Sequence, residues 1–323
     1  MSTPRVSVCL LTYNRAAVLP RSIESILNQD FQDFELIIND DCSPDNTAEV
    51  CQTYVERDPR VKYFRNERNL RYAGNQNAAM ERARGNFLAY VHDGDVYYPF
   101  MLSEWVDALT RQPTAAIVFN AVNVRAEHGI EAGTHVHHYE QLIPGKLLFD
   151  EMIATSSSPI FGIVMLRTQA LRSAGKFDPK LPVLADVDMW LRMLLEHDAA
   201  YVRKPLYEVM PREVGHINRQ PIVNWAIQAE RDRIYVVNLA RRYGGWDRVP
   251  IALRLRLIRK RLAENGRALM GCALRGSFIK LAEGAHALSA GKPFGTTVDL
   301  RSAIAELSGN FARGHKSTAA PKN

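Results

Sequence analysis

Gly85-Asn86-Phe87-Leu88-Ala89-Tyr90-Val91-His92-Asp93-Gly94-Asp95 reads as a buried strand that stops abruptly at two carboxylates. In open α/β sheets, ligands bind in the crevice beyond the carboxyl ends of the strands, which is where Asp93 and Asp95 would stand. Carboxylates at i and i+2 converge on one hard cation only if the chain turns between them, and Gly94 permits that turn. The same residues also make an ordinary Asp-Gly turn, and the stretch alone does not choose between the two.

The chain before it alternates between two periodicities. Val6 to Leu11 is an apolar run ending in Thr12-Tyr13-Asn14-Arg15, and Phe34 to Asn39 is a second, ending in Asp40-Asp41-Cys42-Ser43-Pro44-Asp45. Val61 to Phe64 is a third. Helical spacing separates them, over 18–29, from near Asp45 or Thr47, and over 75–84. Strand–helix alternation with short links predicts an α/β fold with a largely parallel central sheet and helices on both faces. Polar clusters at the ends of successive strands, Thr12-Tyr13-Asn14, Asp40-Asp41 and Asp93-Gly94-Asp95, imply a nucleotide-sized site on one edge. No glycine-rich phosphate loop of the dinucleotide-binding or P-loop type is present, which argues against both classes.

The chain after it continues with a helix over 100–111 and a strand over 115–124. Residues 125–148 are weakly periodic and carry His128, His135, His137 and His138; they read as an exposed loop, with His135 and His137 as candidate ligands. A strand is expected within 160–166 and a helix ending at Gly175. Asp186 falls at the start of another helix whose apolar face is Val187, Trp190, Leu191 and Leu194. A carboxylate there is either an N-cap or a general base held at the rim of a site. A strand over 201–209 leads to the polar loop Pro211–Gln220, which contains His216. Helices are then expected over 222–242, 250–265 and 268–288, with a short one at 298–307. The expected organisation is a catalytic domain over 1–217, with halves of about 1–98 and 99–217, and a helical region over 218–323.

The chain has 323 residues, 46% hydrophobic and 24% charged, a composition that supports a full globular core. No apolar run approaches the ~18 residues of a membrane span. The opening Met1-Ser2-Thr3-Pro4-Arg5 runs straight into a strand, and Cys9, Cys42, Cys51 and Cys272 lack metal-ligand spacing. Free thiols in a cytoplasmic protein are the expectation. The net charge of +6 is uneven: eight Arg or Lys fall between Ile251 and Lys280 against the single Glu264. Such asymmetry suits an acidic partner. Carboxylates at the strand ends would repel a nucleic-acid backbone, so nucleic acid is not expected. The alternating apolar and basic residues of Ile251 to Leu262 suit either an anionic membrane surface, at the inner face of the cell membrane, or packing on the catalytic domain. A homo-oligomer is compatible with the sequence.

In this order and spacing, the motifs resemble glycosyltransferase family 2, inverting nucleotide-sugar-dependent enzymes of the GT-A fold. The resemblance covers about residues 5–215. It rests on Val6 to Arg15, Ser22 to Gln29, Asp33 to Ile38, Asp40 to Thr47, Asn69 to Asn77, Ala83 to Phe87, Asp93-Gly94-Asp95 and Ala185 to Asp188. It implies a UDP- or dTDP-sugar donor, a glycan or lipid-linked glycan acceptor, and Mg²⁺ or Mn²⁺. By the resemblance, Thr12, Tyr13 and Arg15 line the donor site, with Tyr13 near the base. Asp41 would accept from the N3–H of uracil or thymine, Asp45 would shape the pocket, and Arg71 or Arg65 would meet the diphosphate. Asp93, Gly94 and Asp95 would form the metal motif, with Asp95 favoured as direct ligand, and His216 would add a further metal or diphosphate contact. Asp186 would be the catalytic base. Four positions depart from the family pattern: Cys42 stands where glycine is usual, Ala185 where glutamate is, and Arg71-Tyr72 where small residues are. The rival readings are a sugar-phosphate nucleotidyltransferase and a binding or scaffold protein with an inactive transferase fold.

Overall fold

The computed structural model describes residues 3–125, 133–181, 183–210, 221–255 and 257. Four strands with near-continuous apolar sequence form the parallel half of one sheet: β1 (Val6–Thr12), β2 (Phe34–Asp40), β3 (Val61–Arg65) and β4 (Phe87–His92). β1 lies between β2 and β4, with Val8 opposite both Leu36 and Ala89. Every residue of β1 and β2 is buried, as a strand covered on both faces requires.

The remaining strands are β5 (Val96–Tyr97), β6 (Ala115–Val124), β7 (Gly133–His135), β8 (Leu142–Ile143), β9 (Val164–Arg167) and β10 (Asp198–Val209). The sheet order is β3-β2-β1-β4-β9-β6-β10-β5, with β7 beside β6 and β8 beside β10. Along this path β9 and β5 run against the direction of the others, so the largely parallel sheet is mixed. β9 is inserted antiparallel between β4 and β6, with Tyr90 opposite Val164. Part of the expected histidine loop is therefore strand, because Gly133–His135 extends the end of β6.

The helices are α1 (Leu19–Leu27), α2 (Thr47–Arg57), α3 (Arg71–Arg82), α4 (Met101–Arg111), α5 (Gly145–Thr155), α6 (Thr168–Ser173), α7 (Ala185–Leu194) and α8 (Pro221–Tyr243). One face of the sheet packs Val8, Leu10, Leu36 and Val91 against Ile23 of α1, Tyr54 of α2 and Trp105 of α4. On the opposite face, Tyr90 meets Phe177 edge-on at 5.6 Å, and Phe177 meets Trp190 of α7 at 6.2 Å. α3 starts four residues earlier than its alanine spacing predicts. Arg71 turns the chain at φ 62° and its N–H donates to Asn69 Oδ1 at 2.9 Å, which lets the helix begin at once.

Two compact units divide the chain, Met1–Asp247 and Arg248–Asn323, so α8 belongs to the first. His216, His128, Cys272 and the expected helices over 268–288 and 298–307 lie outside the described residues. Among the described residues, no helix is long and apolar enough to cross a membrane.

Candidate active site

The parallel register sets Thr12 opposite Asp40 and Leu11 opposite His92, so the loops after β1, β2 and β4 leave the sheet side by side. Thr12 ends β1 with its Oγ1 buried and without a protein partner, while its carbonyl accepts the Asp41 N–H at 2.9 Å. Such a hydroxyl calls for a partner from solvent or ligand. Tyr13, 46% exposed, presents its ring outside the same edge. Asp45 ties the first loop to the second: Oδ2 accepts the Ala16 N–H at 3.0 Å, and Oδ1 accepts the Thr47 hydroxyl at 2.6 Å and N–H at 3.2 Å. Burial alone would raise its carboxyl, but these bonds outweigh it and leave the pKa lowered.

The two acids after β2 have different surroundings. Asp40 is fully buried and accepts from Ser43 N–H at 2.9 Å and Tyr63 hydroxyl at 2.7 Å, with Arg65 at 3.6 Å. Arg65 also donates to the Ser43 carbonyl at 3.0 Å, so both residues brace the loop. Asp41 Oδ1 accepts the Leu70 N–H at 2.8 Å and Asn66 Nδ2 at 3.0 Å. Burial, helped by the charge of Asp40, outweighs these bonds and raises its carboxyl. Behind Asp41, Asn66 also donates to Asn75 Oδ1 at 2.8 Å, and Asn75 donates to the Asn39 carbonyl at 3.1 Å. Sequence reasoning passed over this amide chain; its trace is Asn at positions where strand β2 and helix α3 otherwise bury apolar side chains.

Cys42 makes the turn after Asp41 at φ 65°, a left-handed conformation that costs a side chain about 1–2 kcal/mol. Its Sγ makes only a 3.7 Å contact with the Glu67 carbonyl. Cys42→Gly is therefore expected to stabilise the protein by about 1 kcal/mol, raising Tm by roughly 2–4 °C in thermal unfolding. A lower Tm would refute the strain at this turn.

The Asp93–Asp95 turn is built around Gly94 at φ 85°. Gly94 N–H donates to Ser22 Oγ at 2.8 Å, Ser22 Oγ donates to the Asp95 carbonyl at 2.9 Å, and Arg21 donates to the Gly94 carbonyl. Asp95 is fully buried, and its Oδ1 accepts the Met210 N–H at 3.1 Å. Asp93 keeps part of its surface, with Arg15 Nε 3.6 Å away. The sequence favoured Asp95 as direct ligand; of the two carboxylates, Asp93 is the accessible one. Among the described residues, no third His, Cys, Asp or Glu completes a cluster with them. Two hard carboxylates fit a cation of the Mg²⁺ type, which completes its shell with phosphate oxygens and water.

Asp186 lies in the first turn of α7, half-buried, with Oδ1 accepting the Val187 N–H at 2.8 Å. Leu184 occupies the cap position and no side chain caps the helix, so the N-cap alternative is not realised. Burial, joined by the charge of Glu230, raises the Asp186 carboxyl to about 6. Glu230 comes from α8 and accepts the N–H groups of Val183 at 3.1 Å and Leu184 at 2.7 Å. It thus brings a carboxylate to the start of α7, the helix that opens with Ala185. A second clasp joins the helices through Asp188, which accepts Asn238 Nδ2 at 2.8 Å, Arg241 at 3.2 Å and Arg192 at 2.9 Å.

Tyr72 lies within range of the Asp186 charge and meets His92, the residue before the Asp93 turn. Its hydroxyl shares a 3.3 Å hydrogen bond with His92 Nε2, and burial and the Asp186 charge push its pKa well above the ordinary value. Arg71 is exposed next to it. The structure thus gathers Thr12, Tyr13, Arg15, Asp41, Asp45, Arg71 and the Asp93–Asp95 turn along one sheet edge. The charge of Asp186 acts on Tyr72, whose hydroxyl meets His92 at that edge.

Residues 7–174 match the profile described as Glycosyl transferase family 2. The chain is 29% identical to the putative glycosyltransferase EpsE of Bacillus subtilis (strain 168), over 64% of this chain and 73% of that one. Its fold is shared with S. aureus TarS 1–349 in complex with UDP-GlcNAc, at 18% identity and TM-score 0.61, covering 89% of this chain and 92% of that one. The mannosyltransferase PcManGT from Pyrobaculum calidifontis, in complex with GDP-Man and Mn²⁺, is likewise 18% identical with TM-score 0.55, covering 91% and 82%.

Proposed function

The chain belongs to glycosyl transferase family 2, and on that footing we propose that it moves a sugar from a UDP- or dTDP-sugar to a hydroxyl of a glycan or lipid-linked glycan, with inversion. The observation that carries the reading is the half-buried Asp186, its carboxyl raised to about 6 and its charge felt by Tyr72, whose hydroxyl meets His92 beside Asp93 and Asp95. A base of that strength is ionised at neutral pH yet accepts a proton readily.

In this reading the acceptor oxygen attacks the anomeric carbon, its proton passes to the Asp186 carboxylate, and the bond from that carbon to the diphosphate breaks. Asp41 faces the N3–H of the pyrimidine, Thr12 Oγ1 finds its partner in the donor, and Tyr13 lies against the base. Asp45 keeps the two donor loops together through Ala16 and Thr47. Arg15 and Arg71 supply positive charge for the diphosphate. Asp93 and Asp95 would hold Mg²⁺ or Mn²⁺, which when bound neutralises charge on the leaving diphosphate.

The test is a panel of UDP-, dTDP- and GDP-sugars incubated with Mg²⁺ or Mn²⁺, with nucleoside diphosphate release and calorimetric binding as readouts. Release from UDP- or dTDP-sugars and not from GDP-mannose is expected. A preference for GDP-sugars would remove the role given to Asp41. Release of pyrophosphate from a nucleoside triphosphate and a sugar phosphate would overturn the reading in favour of a nucleotidyltransferase.

A further inference from the structure

Phe161 is 49% exposed, a large apolar ring left in water beside the site. Its neighbours point the other way, since Ile160 and Ile163 are both 3% exposed. The antiparallel register of β4 and β9 pairs Tyr90 with Val164 and Phe87 with Arg167. Continued by two and three residues, it sets Gly162 beside His92 and Phe161 beside Asp93. The contacts agree with this extension: a methyl group on Gly162 would lie 2.8 Å from the His92 ring and 2.9 Å from the Tyr72 hydroxyl. A side chain at 162 would have to displace the His92 ring and the Tyr72 hydroxyl, so the glycine lets this segment lie close against the edge that carries Asp93.

The loop is also fixed from behind. Ser158 Oγ donates to the Ile160 carbonyl at 2.9 Å, and Arg231 of α8 donates to the carbonyl of Ser156 at 3.4 Å. A ring held in place before any ligand arrives loses little freedom on binding one.

Sheet order decides what the ring would meet. β1 and β2, which carry Thr12 and Asp41, lie on one side of β4, and β9 lies on the other. A donor whose base rests over β1 and β2 and whose diphosphate reaches Asp93 leaves the β9 side for the molecule whose hydroxyl meets Asp186. Resting on the transferase reading above, we propose that Phe161 is a specificity-determining platform for the acceptor, stacking on the apolar C–H face of its pyranose ring. A pyranose has such a face beside its hydroxyls, and an exposed aromatic ring at a polar edge matches it.

The experiment is saturation-transfer NMR on the full chain with UDP and Mg²⁺ present, using methyl β-glucoside, methyl β-galactoside and methyl N-acetyl-β-glucosaminide as probes. Wild type is expected to transfer saturation to the axial ring protons of at least one glycoside. Phe161→Ala should lose that signal at least fivefold and Phe161→Tyr should retain it, with calorimetric UDP affinity unchanged in both. Equal signals in wild type and Phe161→Ala overturn the proposal, as does the absence of signal from wild type that binds UDP. A fall in UDP affinity on Phe161→Ala also overturns it, placing the ring on the donor. Wild type that binds neither UDP nor dTDP counts instead against the transferase reading itself.

Discussion

Asp186→Asn is expected to lower turnover about 10³-fold while leaving nucleoside diphosphate affinity within about twofold of wild type. The substitution keeps the shape and the Oδ1 that accepts the Val187 N–H at 2.8 Å, and removes the charge together with the ability to take a proton. It should also make the protein more stable near pH 7.5. Burial holds the folded carboxyl up at about 6, above the ordinary 3.8 of an aspartate in water, so ionisation is easier in the unfolded chain. Stability from this group is full below about pH 4 and is lost as pH rises through about 6, a difference of roughly 1–3 kcal/mol after allowing for its partial contact with solvent. Asparagine escapes that loss. Denaturant unfolding of the two proteins at pH 7.5 should show the variant ahead, and at pH 4 the gap should close. In wild type, kcat/KM should fall tenfold per pH unit below about 6. A variant that keeps wild-type turnover, or a rate flat from pH 7.5 to 5, would remove Asp186 from the reaction.

Asp93→Ala and Asp95→Ala should each cost about 10²–10³-fold in turnover, and treatment with EDTA should abolish it until Mg²⁺ or Mn²⁺ is restored. The two substitutions separate on stability. Asp95 is fully buried and answers the Met210 N–H, so its loss empties a buried site and strands a partly buried donor, at a cost of about 1–3 kcal/mol. Asp93 is partly exposed beside Arg15, and its replacement should leave unfolding within about 1 kcal/mol of wild type. Paired activity and unfolding measurements check both. Full activity of Asp93→Ala with saturating EDTA would exclude the metal role.

The parallel half of the sheet was legible because β1, β2 and β4 are buried on both faces and spell out their apolar character without interruption. The polar edge was legible because carboxylates and hydroxyls stand where strands stop. Less was written elsewhere. The antiparallel entry of β9 beside β4 depends on a pairing that periodicity does not encode. Tyr72 was visible only as an odd wall residue, and its bond to His92 joins positions on different elements. The amides behind Asp41 work by reciprocal geometry, which no single Asn announces. Glu230 lies 46 residues from Leu184, too far for any local motif to connect them. Cys42 was legible in the opposite sense: the missing glycine pointed to a strained turn, and the backbone adopts that turn regardless.

The double clasp between α7 and α8 bears on how such proteins can be recombined. Glu230 holds the backbone ahead of Asp186, and Asn238 and Arg241 hold Asp188 one turn-side away. A graft between relatives that changes the chain just after the last strand would carry away the acceptor of the Val183 and Leu184 N–H groups and leave Asp188 with Arg192 alone. The inheritable unit is therefore longer than the sheet: α8 must travel with α7.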